Sequence, residues 1–383
     1  MSNNDPKQYP KIILVIPLSG VAFWESLVEE LKKYGYDVVV LTQLSDMEYR
    51  KKGSLFRSMW IRFRIWVLFP LQVVVSCLSK PSFWRSILLV PTTPLYLPAL
   101  ASFSRIIGIR VVHLLYDLYP DQLILAGKIR KQSFAVQILS MITRSAMTRC
   151  NATIFLGERL KTMAELKYGS PKLGRIIEVG GDGSLFPKEP VREDTRKIRL
   201  LYSGNFGYAH EYQTLVALMN EPLPEGINIS FHANGISYET MKAQISILPS
   251  KSQVTLGGAL KMPEWQAAME SADVGIVTMK RGAEDILFPS KTYSAMLSGQ
   301  AILAICAQES DLATTVKEAK AGWVIEPGDV VGLRKLLDEF VAKPGMVFDA
   351  RINARKYAKE HFDMPKIAEK WDDLLHLLAA APN

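Results

Sequence analysis

Cysteine and histidine are scarce in this chain. Three cysteines, Cys77, Cys150 and Cys306, stand far apart in 383 residues, each among apolar neighbours. No pair has metal-ligand spacing, and an odd count does not build a disulfide framework. They read as buried thiols of a reducing compartment. Five histidines are present and the pair Asp-x-Asp is absent, so no metal site is expected. The N-terminus, residues 1–10, is polar and lacks an apolar signal core, which argues against secretion. The basic residues form no continuous stripe and no recognised binding motif, which argues against a nucleic-acid binder. The net charge of +8 still suits anionic lipid or phosphorylated small molecules.

What is abundant is apolar sequence, 48% of the chain, in a length that suits two cores. Residues 11–17 form a short unbroken apolar run of the kind a two-sided parallel sheet requires. A turn at 18–20 follows, then Trp24, Leu27, Val28 and Leu31 at helical spacing, a stop at Gly35 and an apolar run at 38–41. This is a βαβ unit without the dinucleotide fingerprint, because one glycine alone occupies its turn. Residues 86–91, 109–115, 151–156 and 176–179 read as further strands, closed by the loop 180–184. The charged, proline-bearing stretch 188–197 reads as a linker. The pattern restarts with strands at 198–202, 227–231, 254–256, 274–277 and 301–305. Two such halves predict two Rossmann-like, doubly wound α/β domains facing a central cleft, with functional loops at the strand ends.

Residues 55–84 break this pattern. Arg57, Arg62, Arg64 and Arg85 are interleaved with Trp60, Trp66 and Trp84. Aromatic and basic residues on apolar helices mark a segment lying in a membrane interface. The uncharged run 65–79 carries Pro70 and Gln72 and is too short to span a bilayer. The plainer alternative is one or two helices buried on the N-terminal sheet, with arginines at their rims.

The stretch 281–299 is the most informative. Pro289 fits the first turn of a helix, where its missing N–H costs nothing. Free backbone N–H groups near Ser290, Lys291 and Thr292, with the serine hydroxyl and the lysine ammonium, would then hold a diphosphate. The alternative is an ordinary amphipathic helix whose Tyr293, Met296 and Leu297 face the core.

Residues 288–304 (Phe-Pro-Ser-Lys-Thr-Tyr-Ser-Ala-Met-Leu-Ser-Gly-Gln-Ala-Ile-Leu-Ala) resemble the donor-binding signature of the fourth family of retaining glycosyltransferases. The resemblance is closest to the branch that builds bacterial surface polysaccharides of the colanic-acid or O-antigen kind. Residues 114–127, 201–215, 272–277 and 322–329 resemble other landmarks of that branch, in order, over nearly the whole chain. The resemblance implies a GT-B fold and a nucleoside-diphosphate sugar held mainly by the C-terminal domain. It also implies a lipid-linked or membrane acceptor approached from the N-terminal domain, anomeric retention, no cofactor and no metal. The pattern departs in one place. Most members carry two glutamates separated by seven residues around this proline, and here those positions are Ile286 and Ser294. Glu284 and Asp285 lie close enough to substitute, and Ser294 can still hydrogen-bond a ribose hydroxyl.

The expected catalytic residues are Asp117, after the strand 109–115, and Lys291. The expected donor contacts are Gly20, Gly204, Asn205, His210, Lys280, Arg281, Pro289, Ser290, Thr292 and Ser294. The plainer roles are a turn glycine at Gly20, a helix cap at His210, solvated charges at Lys280 and Arg281, and a cap or buried ion pair at Asp117. Asp121 is a weaker neighbour, and 309–311 suits a helix cap. The expected domains are 1–190 and 198–350, with helices over 351–383 that carry Trp371, Leu374 and Leu375 and brace the two. The chain thus reads as a cytoplasmic glycosyltransferase, peripheral on the inner leaflet. The alternatives are a sugar-nucleotide epimerase of the same architecture and an inactive GT-B subunit that activates a partner.

Overall fold

The computed structural model describes residues 9–51, 53–191 and 197–381. Residues 1–8 of the polar start and 192–196 of the expected linker lie outside the described residues. The chain divides into two compact units. The first takes Met1–Asp121, Ile129–Glu178 and Ile367–Asn383; the second takes Gln122–Lys128 and Val179–Lys366. The boundary therefore falls at Glu178 rather than at residue 190. The reason is local: the loop after Glu178 docks on the second unit. Gly181 N–H donates to Phe362 O (2.9 Å) and Gly183 N–H to Asp363 (2.9 Å).

In the first unit the strands are β1 (Ile12–Val15), β2 (Leu18–Ser19), β3 (Val38–Leu41), β4 (Leu44–Ser45), β5 (Ile87–Pro91), β6 (Arg110–Leu115), β7 (Ala152–Phe155) and β8 (Gly174–Ile176). Six of them make one sheet in the order β3-β1-β5-β6-β7-β8, and every pairing is parallel. β1 and β7 are buried along their whole length, as unbroken apolar runs covered by helices on both faces must be. Two expectations need correction. The turn expected at 18–20 contains β2, which pairs with β4 in a separate two-stranded ribbon. The last strand lies at Gly174–Ile176 instead of 176–179, because its pairing with Thr153–Phe155 fixes the register and not the apolar run.

The second unit holds β9 (Ile198–Asn205), β10 (Ile227–Asn234), β11 (Val254–Gly257), β12 (Val274–Thr278), β13 (Ala301–Ile305) and β14 (Gly322–Ile325). Their order, β11-β10-β9-β12-β13-β14, reverses direction between β9 and β12. That is the doubly wound arrangement in which ligands bind outside the strand ends at the switch. Tyr202, Phe231, Leu303 and Phe340 fill its core. β14 was not expected as a strand. The closing helices split between the units: Pro344–His361 packs in the second, and Met364–Ala380 lies in the first from Ile367 onward.

Candidate functional site

β9 and β12 pair only at Leu200–Val274 and Leu201–Gly275. Beyond that point β9 continues to Asn205 and β12 to Thr278, so the two strands diverge toward their C-terminal ends. The gap is bridged by one loop. His210 Nδ1 donates to Thr278 O (3.0 Å), and Lys280 N–H donates to Ala209 O (2.8 Å). A carbonyl can only accept, so Nδ1 carries the proton, and neutral His210 presents Nε2 as a lone pair. Burial, then the nearby Lys291 charge, push its pKa down to about 3. At this gap His210 therefore offers an acceptor, Nε2.

Lys291 reaches into the same gap. Its ammonium lies 3.7 Å from the centroid of the Tyr202 ring and 6.0 Å from that of Phe206. It also donates to the Tyr202 hydroxyl and to Asn205 O (3.3 Å). Desolvation by these rings holds its pKa well below the ordinary lysine range. Gly204 leads into this turn with φ +117°, a conformation glycine adopts without strain. A side chain on Gly235 would come within 2.6 Å of Asn205 Oδ1 and Phe206 O, so the next strand end packs directly under the turn.

The helix that carries the lysine runs Lys291–Leu297, with Ser290 as its cap residue. Pro289 therefore precedes the cap instead of occupying the first turn. Its carbonyl accepts from the Thr292 N–H (3.1 Å) and hydroxyl (2.7 Å), and Ser290 O accepts from Tyr293 N–H (3.2 Å). Thr292 is wholly buried and turned inward, which removes it from the expected donor contacts. The N–H groups of Ser290 and Lys291 have no partner among the described residues and, with the exposed serine hydroxyl, remain for an anion. Tyr293, Met296 and Leu297 face the core as expected. The far end of the helix is fixed by two buried arginines. Arg355 donates to Leu297 O (2.9 Å), and Arg351 donates to Gly299 O (2.9 Å) while pairing with Asp273 (2.9 Å). Cations on the last carbonyls complement the helix dipole and set where Lys291 begins.

The remaining candidates separate. Ser294 is partly covered by Gly181, whose added Cβ would lie 3.8 Å from its hydroxyl. Arg281 is exposed and paired with Glu326 (2.7 Å), so its guanidinium is held toward the end of β14. Lys280 is half-buried beside it. Glu284, proposed from sequence as a stand-in glutamate, is buried, and one of its carboxylate oxygens finds no partner among the described residues. Ser310 caps the helix Asp311–Glu318 through Ala313 N–H (3.1 Å). In the first unit, Gly20 has φ +79° just after β2, and Asp117 follows β6. Burial raises the Asp117 carboxyl to about 6. Asp121 is occupied by Lys167 (2.6 Å) and the Tyr168 hydroxyl. Sequence reasoning missed Tyr202 and Phe206, which shield the lysine; their spacing marked them only as strand and turn. Among the described residues no group of three or more His, Cys, Asp or Glu is placed to hold a metal ion.

The segment 55–84 forms one unbroken helix, Leu55–Ser79, with a π-helical turn at Arg64–Leu68. At 1.5 Å per residue its 25 residues extend about 37 Å, long and apolar enough to cross a membrane by length and composition. A helix packed on a protein core passes the same test, and part of this one is buried. One stripe, Ile61, Ile65, Phe69, Val73 and Cys77, is buried on the first unit, with Phe69, Val73 and Cys77 in the core around β1 and β5. The opposite side exposes Leu55, Phe56, Trp60, Leu71, Val75 and Leu78. Arg64 pairs with Glu48 (2.8 Å) and Arg57 donates to Glu48 O (2.8 Å), so two of the four arginines brace the helix while Arg62 and Arg85 remain exposed.

No family model matches the chain. A probable glycosyltransferase, WbjE of Pseudomonas aeruginosa, is 24% identical over 243 residues. That match spans 61% of this chain and 60% of that protein's length. Among solved structures, HepE of Anabaena, in complex with UDP, superposes with TM-score 0.70 and 15% identity over 96% of this chain and 100% of its own. Sucrose-phosphate synthase of Thermosynechococcus elongatus gives 0.72 and 15% over 97% and 100%. WaaG, a glycosyltransferase involved in lipopolysaccharide biosynthesis, gives 0.65 and 13% over 95% and 99%. Shared over nearly the full length at such low identity, the architecture is what is common: the chain has the GT-B fold of two Rossmann-like, parallel-sheet units.

Proposed function

We propose that the chain is a glycosyltransferase that moves a sugar from a nucleoside-diphosphate donor, UDP-linked by analogy with the HepE complexes, to a lipid-linked acceptor at a membrane surface. One observation carries this reading. An ammonium shielded by two aromatic rings, two unpartnered backbone N–H groups and a serine hydroxyl converge at the switch point of a doubly wound sheet. Charge developing on a leaving diphosphate meets donors already in place and sheltered from water, which is where such donors act most strongly. The bond from the anomeric carbon to the diphosphate breaks with its electron pair on the phosphate oxygen. The acceptor hydroxyl oxygen forms the new bond, and its proton passes to that phosphate oxygen, with retention of configuration. Lys291 and the helix start offset the diphosphate charge, so the step runs without a divalent ion. Asp117, on the first unit, is the acceptor-side carboxylate of this reading. Membership of the fourth retaining family and its surface-polysaccharide branch, and a peripheral position on the inner leaflet, belong to the same reading. The relationship to WbjE and the exposed apolar side of Leu55–Ser79 support them.

The test is release of free nucleoside diphosphate from UDP-, GDP- and dTDP-sugars with membrane extract as acceptor. Turnover with UDP-sugar and an axial-to-axial product by NMR is expected from an axial donor. Folded protein that binds UDP yet turns over no donor would instead favour the inactive, partner-activating subunit.

A further inference from the structure

We infer that the first unit has a second membrane-inserting surface, separate in sequence from Leu55–Ser79, whose apolar groove takes one acyl chain of an anionic bilayer. This rests on the membrane-facing reading of Leu55–Ser79 given above. The surface is built from the apolar helical stretch Leu97–Ile107 and the helix Phe134–Arg149. Between them runs a cavity of about 430 Å³ walled by Tyr96, Leu100, Phe103, Ile138, Met141 and Ile142. Carbon lines nearly all of it, and water held there finds few of the two to four polar partners it needs. Around it Ile106 is 87% exposed, Phe134 74%, Met141 70% and Phe103 56%. Solvent-facing side chains of this size on adjacent helices are an interaction surface rather than scatter.

Two features select a bilayer as the occupant. The first is continuity. Tyr96, at the groove, donates its hydroxyl to Trp66 O, and the two rings lie 6.4 Å apart, so the groove adjoins the exposed side of Leu55–Ser79. The second is charge. Residues 51–150 contain fourteen Lys and Arg against two Asp, a net of +12; the whole chain is +8, so the rest is −4. The two acids of this stretch do not offset that field at the surface: Asp121 is held by Lys167 and Tyr168, and Asp117 is half-buried. At the rim the Arg149 guanidinium lies over the Phe103 ring (5.4 Å), and Arg105 donates to Arg149 O (3.0 Å). An aromatic anchor under a cation suits the boundary between acyl chains and phosphate headgroups.

The experiment is co-sedimentation of the full chain with phosphatidylglycerol–phosphatidylcholine vesicles and with phosphatidylcholine alone. Two triple variants are compared: Phe103→Ser/Ile106→Ser/Met141→Ser at the groove and Leu55→Ser/Phe56→Ser/Met59→Ser on the first helix. All six side chains are exposed, so both variants should keep the wild-type melting temperature. The groove variant is expected to lose about 10- to 100-fold in partitioning to the anionic vesicles, the effect of withdrawing three partly inserted apolar side chains. A nitroxide on Met141→Cys, specific because the native thiols are buried, should be reached by oxygen and shielded from a water-soluble nickel chelate. Groove-variant binding equal to wild type, with loss only in the first-helix variant, overturns the inference and leaves the membrane reading standing. Wild-type protein that binds no vesicle removes the membrane reading itself. A dimer in solution that the groove variant dissociates would assign the surface to a second copy and overturn the inference.

Discussion

Replacing Lys291 by methionine separates the two tasks its side chain could have. In the unliganded protein the ammonium sits over Tyr202 and beside Phe206, with its pKa driven well below normal by desolvation. A desolvated cation–π contact contributes about 2 kcal/mol, and the cost of keeping the charge out of water opposes it. Methionine fills nearly the same volume against the same rings without that cost. Folding stability should therefore change by less than about 1 kcal/mol. Donor binding should change far more. A hydrogen bond from a charged group is worth about 1.5–3 kcal/mol, so losing the one to a diphosphate oxygen lowers UDP affinity about 10- to 150-fold. Titration calorimetry with UDP and urea unfolding on the same preparations read the two effects. If the variant loses several kcal/mol of stability while UDP binding holds, Lys291 is a core residue and the diphosphate assignment is wrong.

Asp117 sets a pH dependence of defined sign. Its carboxyl is raised to about 6, so transfer that uses the carboxylate should increase through pH 6. Asp117→Asn should remove that limb from the pH–rate profile. The same group binds more protons folded than unfolded between about pH 4 and 6, so its share of folding stability falls as pH rises through that window. Gly322→Ala should prevent β14 from pairing, because a Cβ there would lie 1.9 Å from Ile302 O; insoluble expression is expected, and a soluble, active variant would refute the register.

Much of the fold was legible because a buried parallel strand announces itself. The runs at β1, β5 and β13 are continuous aliphatic stretches buried on both faces along nearly their whole length; β3 shows the same aliphatic run at the sheet edge. β8 and β14 were harder, since Gly174, Arg175, Gly322 and Trp323 take strand geometry from their neighbours' hydrogen bonds and not from apolar content. At the site, Pro-Ser-Lys indicated a helix start but not its register. Thr292 was a reasonable donor until its hydroxyl proved to be satisfied by Pro289 O. The contact between Lys291 and Tyr202 joins residues 89 positions apart, and no local pattern encodes it. The charge-paired fate of Arg281 likewise depends on Glu326, which follows β14.

The final helix also fixes an order of assembly. Trp371, Leu374 and Leu375 are buried in the first unit, where Asp372 accepts from the Tyr36 hydroxyl (2.7 Å) and Lys370 pairs with Glu178 (2.5 Å). Those partners leave the ribosome long before the helix does. The 188 residues from Val179 to Lys366 come between, roughly 10–40 s of synthesis at about 5–20 residues per second. During that interval the first unit lacks a wall of its core, while the sheet of the second can close within one contiguous stretch. The domain made first is thus the one completed last, and a nascent chain halted anywhere before Trp371 presents an open apolar seat to chaperones.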